Sequence, residues 1–310
     1  MAPGTVPAVS ALRVPARGRS GYLRGEERFG WLLAGPSVLL LVTMTTVPLA
    51  ALMIMSTWRL DLATPFRNRF VGIDNYARML ADTRFLEAVR ITAVYAVTSV
   101  ALQVGIGLGL ALAFFRLVRG LGALRVAVLL PMILAPIVVG LSWKTLMLSQ
   151  LYGLVDYAAV LLGLGSKPWL TDARWALGSV IVIHTWQWTP FAFLVFLASL
   201  YALPPEPFEA AMIDRAGAWQ IFRYLTLPML RPAIFVVVIL RTMIALRAFE
   251  GIYATTGGGP GTATEILNLY AYRVSFNSLS LGYGAALGTV LLVATAAISA
   301  VFFWLRRAPE

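Results

Sequence analysis

Four side chains able to hold a polar ligand share one helix face inside the uncharged apolar run 175–203. They stand at positions i, i+3, i+4 and i+7: His184, Gln187, Trp188 and Phe191. The hydroxyls of a sugar or polyol need donors and acceptors, whereas its apolar faces pack on aromatic rings. This face therefore predicts a binding surface for such a ligand, with hydrogen bonding between helices of one bundle as the alternative.

A lone arginine, Arg241, interrupts a second apolar run that begins at Pro232. A charge in such a place is a functional-site hypothesis, and the alternative is a long side chain that reaches out to a polar boundary. We expect its guanidinium to face the pathway of the ligand. Arg247 and Glu250, three residues apart, are expected to form an ion pair within one helix.

Several familiar kinds of site are missing from the sequence. With no cysteine and one histidine, disulfides, thiol chemistry and multi-histidine metal motifs are excluded. The glycines at 257–261 are not followed by Lys-Ser or Lys-Thr, and no GxxxxGK[ST] phosphate loop occurs elsewhere. Ser179 and His184, five residues apart, do not share a helix face as a nucleophile and its base would. We predict no catalytic residue, no metal site and no cofactor on this chain.

The composition is that of a membrane protein. Of the 310 residues, 59% are hydrophobic and 13% are charged, which is too apolar for an ordinary soluble domain. A formal net charge of +11 would suit nucleic acid, but the arginines lie in short stretches between apolar runs rather than on one basic face. We therefore expect the bilayer to be the solvent, and no nucleic-acid partner.

Six apolar segments approach the length of about 20 residues that a helix needs to cross a bilayer. Four are uncharged throughout, namely 31–55, 91–115, 175–203 and 282–305. Two others, 126–143 and 232–240, reach that length only past Lys144 and Arg241, and the first contains Pro131 and Pro136. The sequence predicts an all-α membrane protein with six transmembrane helices in one domain, 29–310. An arginine-rich disordered tail, 1–28, is expected before it.

Two pairs of glycines have the spacing that lets membrane helices approach closely: Gly105 with Gly109, and Gly284 with Gly288. Packing within one subunit is the preferred interpretation, and a seam between two subunits is the alternative.

A short polar segment, 204–228, separates the fourth and fifth spans. Pro204-Pro205-Glu206-Pro207 cannot continue a helix but suits a first turn, so a short helix is expected from Phe208. Its apolar stripe ends at Arg215, so this helix is expected to be stable only when docked. Gly217 would end it, and a second helix is expected over 219–225, up to Pro228.

This segment resembles the EAA loop of ABC importer permeases. The resemblance rests on residues in the family's order and spacing: Glu209, Ala210, Ala211, Asp214, Gly217, Leu227 and Pro228. Arg215 replaces the family's usual glycine, and Leu225 its usual isoleucine. Segments 70–76 (FVGIDNY) and 256–261 (TGGGPG) are similar to those of carbohydrate-importer permeases of the maltose and glycerol-phosphate type. The resemblance thus covers nearly the whole chain from about Phe29.

The resemblance implies a type I importer fold and a function. The chain would be the permease subunit that translocates a sugar or polyol, and the seven matched residues would couple it to an ABC ATPase dimer carrying ATP and Mg²⁺. A second, similar permease and an extracytoplasmic solute-binding protein would complete the transporter. It would lie in a bacterial-type cytoplasmic (inner) membrane with cytoplasmic termini, because the loop must face ATP; basic residues are too evenly divided to decide orientation. Counting from Glu209 carries the family's substrate lining onto His184, Gln187, Trp188, Arg241 and Ile244.

An ion-coupled secondary transporter is the alternative function. Such a protein typically places an acidic residue within a span as its proton or cation site. None of the four uncharged runs contains Asp or Glu, so ion coupling has no evident carrier.

Overall fold

The computed structural model describes residues 19–116 and 122–307, which are mainly helical. The helices are α1 (Arg19–Ser56), α2 (Asp74–Leu80), α3 (Thr83–Arg116), α4 (Gly122–Ile133), α5 (Pro136–Ser142), α6 (Leu154–Leu161), α7 (Ala173–Tyr201), α8 (Glu206–Ile213), α9 (Ala218–Ile221), α10 (Leu227–Met229), α11 (Arg231–Leu246), α12 (Glu250–Thr255), α13 (Leu267–Tyr272) and α14 (Leu281–Arg307). Short π-helical turns cover Trp143–Met147, Phe222–Thr226 and Arg273–Asn277, and a 3₁₀ turn covers Pro65–Arg67. Two short antiparallel strands, β1 (Trp58–Arg59) and β2 (Arg69–Phe70), pair Trp58 with Phe70.

The N-terminal part of the chain differs in one respect from the expected tail. Residues 1–18 of the predicted tail lie outside the described residues, but residues 19–28 are helical and belong to α1. The prediction of disorder is therefore wrong for 19–28, where arginine and glutamate are good helix formers that extend the apolar helix by several turns. Among the described residues, those from Arg19 to Ala51 form one unit, and those from Leu52 onward form a second.

Four of the predicted spans are single long helices, at Trp31–Ser56, Thr83–Phe115, Ala173–Tyr201 and Leu281–Phe302. The other two are bent. Leu124–Ile133 meets Pro136–Met147 at 103°, and Ala218–Met229 meets Arg231–Leu246 at 61°. Six spans are reached only when each bent pair counts as one.

The sharper bend has a cause in the sequence. Pro136 has no backbone N–H, and it disfavours a helical conformation in the residue before it. Ala135 accordingly takes an extended conformation, with φ −60° and ψ 138°. The chain turns there and resumes as α5.

The centre of the second unit is the pairing of α3 with α7. The two run in the same direction, because Tyr95 meets His184 near one end and Phe115 meets Tyr201 near the other. They approach most closely at Gly107, where an added Cβ would lie 2.7 Å from the Cβ of Ala192. Only glycine permits this separation of the two backbones.

The two glycine pairs have different outcomes. A Cβ on Gly284 would lie 1.9 Å from Ser275 Oγ, and one on Gly288 would lie 3.4 Å from Leu52 Cδ1, so packing within the subunit is confirmed there. Among the described residues nothing lies within 4 Å of such a Cβ on Gly105 or Gly109. The preferred interpretation is wrong for that pair, because Gly107 makes the close approach on α3.

A buried carboxylate organises the end of the bundle opposite α8. Glu265 accepts hydrogen bonds from Arg84 Nε at 2.6 Å and from Arg273 Nη1 at 2.5 Å, and Arg273 Nη2 donates to the carbonyl of Gly257. Gly258, at φ 93°, packs so tightly that a Cβ there would lie 2.8 Å from Leu269 Cδ2. The glycine-rich segment 257–261 is thus a packed structural turn.

A second carboxylate at the same end, Asp82, immediately precedes α3. The hydroxyls of Tyr270 and Tyr283 donate to its Oδ2 at 2.5 and 2.6 Å. Partial burial raises its pKa, but these bonds and two backbone N–H donors outweigh burial, so the pKa is lowered. Asp82 therefore holds the start of α3 to α13 and α14 as an ionised acceptor.

Candidate functional site

The segment that resembles the EAA loop lies between the ends of α7 and α11. It consists of α8, α9, a π-helical turn and α10. The first helix begins at Glu206, slightly before the expected Phe208, because prolines are tolerated in a first helical turn. Glu206 and Glu209 both lie in that turn, where the helix dipole favours negative charge.

The turn after α8 keeps the shape that a glycine usually provides. Arg215 itself takes the left-handed conformation, at φ 55°. The N–H of Ala216 donates to the carbonyl of Ala211 at 2.9 Å, and that of Arg215 donates to Met212 at 3.1 Å. This is the Schellman pattern of helix termination. The expectation that Gly217 would end this helix is therefore wrong, because α8 ends at Ile213 and the left-handed residue after it is Arg215.

Gly217 has another role, as the residue that precedes α9. Its backbone is extended, at φ −70° and ψ 159°, and its N–H donates to Oε1 of Gln220 at 2.7 Å. The second helix begins at Ala218 and widens into a π-helical turn at Phe222. The prediction that the second helix ends at Pro228 is wrong. Pro228 lies inside α10, since the first turn of a helix does not need the proline N–H.

This segment presents apolar side chains that its own chain does not cover. The large hydrophobic residues exposed on it are Met212, Ile213, Trp219 and Tyr224. Glu209 and Asp214 are exposed beside them, and neither forms an ion pair within the described parts of the chain. An apolar surface with carboxylates at its edge is typical of a protein-binding site.

A cavity of about 360 Å³ opens between α7, α11 and α12. Four of the predicted pathway residues line it: His184, Gln187, Trp188 and Ile244. Phe191 and Arg241 are not on its wall. Tyr95, Phe249 and Thr255, which the sequence did not single out, also line it.

Arg241 lies directly behind the cavity wall and is fully buried, with 0% of its surface exposed. Its Nε donates to Gln103 Oε1 at 2.7 Å, and its Nη2 lies 3.2 Å from His184 Nε2. Its Cζ stands 4.4 Å from the ring centroid of Trp188, within range of a cation–π interaction. The expectation that Arg241 contacts the substrate directly is therefore wrong for this conformation. Arg241 is connected to the cavity only through its contacts with His184 and Trp188.

These contacts fix the hydrogen-bonding state of the residues around Arg241. A guanidinium only donates hydrogen bonds, so His184 Nε2 must accept, which makes the ring neutral. For the same reason Gln103 must turn its oxygen towards Arg241. Each of these partners is uncharged. Through them, Arg241 on α11 joins α3 and α7 at one point.

Gln187 supports the broken helix beside the cavity. Its Nε2 donates to the carbonyl of Leu134 at 3.1 Å. That carbonyl lies at the break between α4 and α5, where the helical pattern of hydrogen bonds is interrupted. Gln187 therefore has a structural role as well as a place on the cavity wall.

The sequence contained a signal for the missed part of the site. Tyr95, Ser99 and Gln103 recur at i, i+4 and i+8, a polar stripe along an otherwise apolar span. Such a stripe predicts the face that a membrane helix turns towards protein or a polar cavity.

The predicted ion pair of Arg247 and Glu250 is wrong. Arg247 follows the end of α11, and Glu250 begins α12, so the two do not share a helix. No salt bridge between them occurs in the described structure. The chain breaks between them, so the spacing rule that motivated the pair does not apply.

The competing functions gain no support from the geometry. In the described ranges the buried carboxylates are Asp156 and Glu265, which both lie between spans. Ser179 Oγ donates to the carbonyl of Trp169 at 2.9 Å, while His184 bonds Arg241. The acidic side chain within a described span is Glu87, which is exposed near the start of Thr83–Phe115 and accepts a hydrogen bond from Thr262 Oγ1 at 3.1 Å. Neither a buried acidic ion carrier within a span nor a serine–histidine hydrogen bond is therefore present in these ranges.

Known proteins resemble this chain in both sequence and fold. The chain is 33% identical over 284 residues to the trehalose transport system permease protein of Mycobacterium tuberculosis, covering 92% of this chain and 90% of the relative. It is 33% identical over 277 residues to the trehalose/maltose transport system permease protein of Thermococcus litoralis, covering 89% and 93%. A solved bacterial ABC transporter involved in the import of the acidic polysaccharide alginate has the same fold, with a TM-score of 0.77 at 22% identity, covering 93% of this chain and 100% of that one. Residues 21–309 match the family model of the binding-protein-dependent transport system inner membrane component, and the chain belongs to that family.

Proposed function

We propose that this chain is the permease subunit of an ATP-driven ABC importer that carries a sugar or polyol across the cytoplasmic membrane. Family membership supports the transport role, and relatives named for trehalose and maltose support the substrate class. The cavity carries the proposal. Its wall combines the imidazole of His184 and the amide of Gln187 with the indole of Trp188, which suits a ligand with hydroxyls and apolar ring faces.

The power for transport comes from a partner. The exposed surface of 206–229 docks on an ABC ATPase dimer, which holds ATP and Mg²⁺. The residues that couple the two are Glu209, Ala210, Ala211, Asp214, Gly217, Leu227 and Pro228. Purified alone, the chain is expected to hydrolyse no ATP, since it contains no phosphate loop.

The connection between docking surface and cavity runs along α11. Movement of α8 is passed through α9 and α10 to the bend at Leu230, which is buried. From Arg231 to Ile244 the helix rises about 20 Å, and its far end forms one wall of the cavity. A tilt of α11 would therefore open or close the cavity as the ATPases close and reopen.

Family membership supports the remaining partners that we propose. A second, similar permease completes the pathway as the other half of a heterodimer, and a solute-binding protein delivers substrate at the end opposite α8. With the docking surface facing ATP, the termini lie in the cytoplasm of a bacterial-type cell.

Glu209→Ala tests the coupling, with Glu206→Ala as the matched control in the same helical turn. In the assembled transporter, Glu209→Ala should lower uptake and substrate-stimulated ATP hydrolysis per complex, while Glu206→Ala should retain most of both. Unchanged uptake in Glu209→Ala would contradict the coupling role. Equal losses in both variants would assign the effect to the helix dipole rather than to a specific contact.

A further inference from the structure

The charge of Arg241 has no counter-charge in the part of the chain that the structure describes. Its hydrogen-bond partners are Gln103 and His184, and its Nη1 has no partner there. The only salt bridges in the described ranges join Arg84 and Arg273 to Glu265, and Arg174 to Asp172. A fully buried guanidinium without a carboxylate is costly, because burial removes its hydration and nothing neutralises it.

The nature of Gln103 makes this arrangement specific. Gln103 is itself fully buried, and its Oε1 holds the guanidinium at 2.7 Å. A glutamate has nearly the same shape and would form a charge-assisted bond with the same geometry. The neutral amide of Gln103 holds Arg241 in place without neutralising its positive charge.

The cavity does not cancel that charge. The two fully charged side chains on its wall, Arg247 and Glu250, are opposite in sign. The other ionisable groups on it, Tyr95 and the neutral imidazole of His184, add no negative charge. Arg241 lies one side chain behind the wall, in contact with His184 and Trp188.

We infer that the pathway selects an anionic carbohydrate, one that bears a carboxylate, phosphate or sulfonate group, with Arg241 as the charge that attracts it from behind the cavity wall and Gln103 as the residue that positions Arg241. This inference rests on the proposed function of carbohydrate import. A substrate anion about 6 Å from the guanidinium, at an effective dielectric constant of about 20, would gain about 100-fold in affinity. Screening by water in the open cavity reduces this to an expected preference of about 10-fold or more.

The test uses a matched pair of ligands, methyl β-D-glucuronide and methyl β-D-glucoside, which differ in a single carboxylate. Binding of each is measured by equilibrium dialysis to the assembled transporter in nanodiscs without its solute-binding protein. Wild type should bind the glucuronide at least about 10-fold more tightly. Gln103→Glu should reduce this preference to about 3-fold or less, because the added carboxylate neutralises Arg241 in place. Gln103→Met, which removes the hydrogen bond but adds no charge, should keep a preference for the glucuronide.

The outcomes separate this inference from the proposed function. Equal binding of the two glycosides by wild type, or tighter binding of the glucoside, would overturn the anion preference while leaving carbohydrate transport intact. Binding of neither would contradict both. The yield of assembled Gln103→Glu complex gives an independent readout and should equal or exceed that of wild type. A marked loss of yield would mean that Arg241 already has a counter-ion, for example on the second permease, and would also overturn the inference.

Discussion

Replacement of Trp219 by alanine is expected to weaken attachment of the ATPase partner that we propose. Trp219 is 71% exposed on α9, where it packs only partly on Phe222 at a ring distance of 5.5 Å. A tryptophan can bury up to about 250 Å², so about 150 Å² or more of Trp219 remains for a partner to cover. At about 25 cal/mol per Å², complete cover is worth about 4 kcal/mol, and partial cover about 2 kcal/mol. The variant should therefore bind the ATPase about 30- to 1000-fold more weakly.

The assay is a titration of detergent-solubilised permease with its ATPase, which yields a Kd for each variant. Trp304→Ala is the matched control, since Trp304 is 69% exposed but lies in the membrane helix α14. It should leave the Kd unchanged. A Kd for Trp219→Ala within about 3-fold of wild type would refute the reasoning, because about 3-fold corresponds to less than 1 kcal/mol. An equal loss in Trp304→Ala would refute it as well.

Three further substitutions are expected to alter the stability of the fold, each measured by thermal unfolding in detergent. Gly107→Ala should lower stability by about 1–3 kcal/mol, because its Cβ has no room against α7, whereas Gly105→Ala should be nearly neutral. Asp82→Asn should cost about 1–3 kcal/mol; since the folded pKa of Asp82 is lowered, its contribution should be complete above pH about 4 and be lost as pH falls through the lowered value. Gln187→Leu should cost about 1–3 kcal/mol, because the carbonyl of Leu134 loses its donor.

The sequence alone was enough to predict the kind of protein and its long helices. Uncharged apolar runs of span length have few alternatives in a bilayer, because the backbone must satisfy its own hydrogen bonds there. The segment that resembles the EAA loop was also recognisable, since Glu209 and Leu227-Pro228 lie in a polar interval between two such runs. These properties depend on local composition and order along the chain.

Conformation at single positions was less predictable. The left-handed backbone of Arg215 accompanies the hydrogen bonds that end α8. The sequence argues against this conformation, because an arginine adopts it less readily than the glycine that is usual at this position. The break that separates Arg247 from Glu250 depends on how neighbouring helices pack. The 103° bend before Pro136 has a local cause in the proline, but its angle depends on that packing as well. A spacing rule assumes an unbroken helix and fails wherever packing interrupts it.

Only the tertiary structure showed which polar residues meet. Arg241 and Gln103 are 138 residues apart in the chain, so no local pattern could pair them. Periodicity identified the face of α7 that carries His184 and Trp188, since residues on one helix turn together. It could not show that Arg241 lies behind that face rather than on it, because burial at a meeting point of three helices depends on the packing of all three.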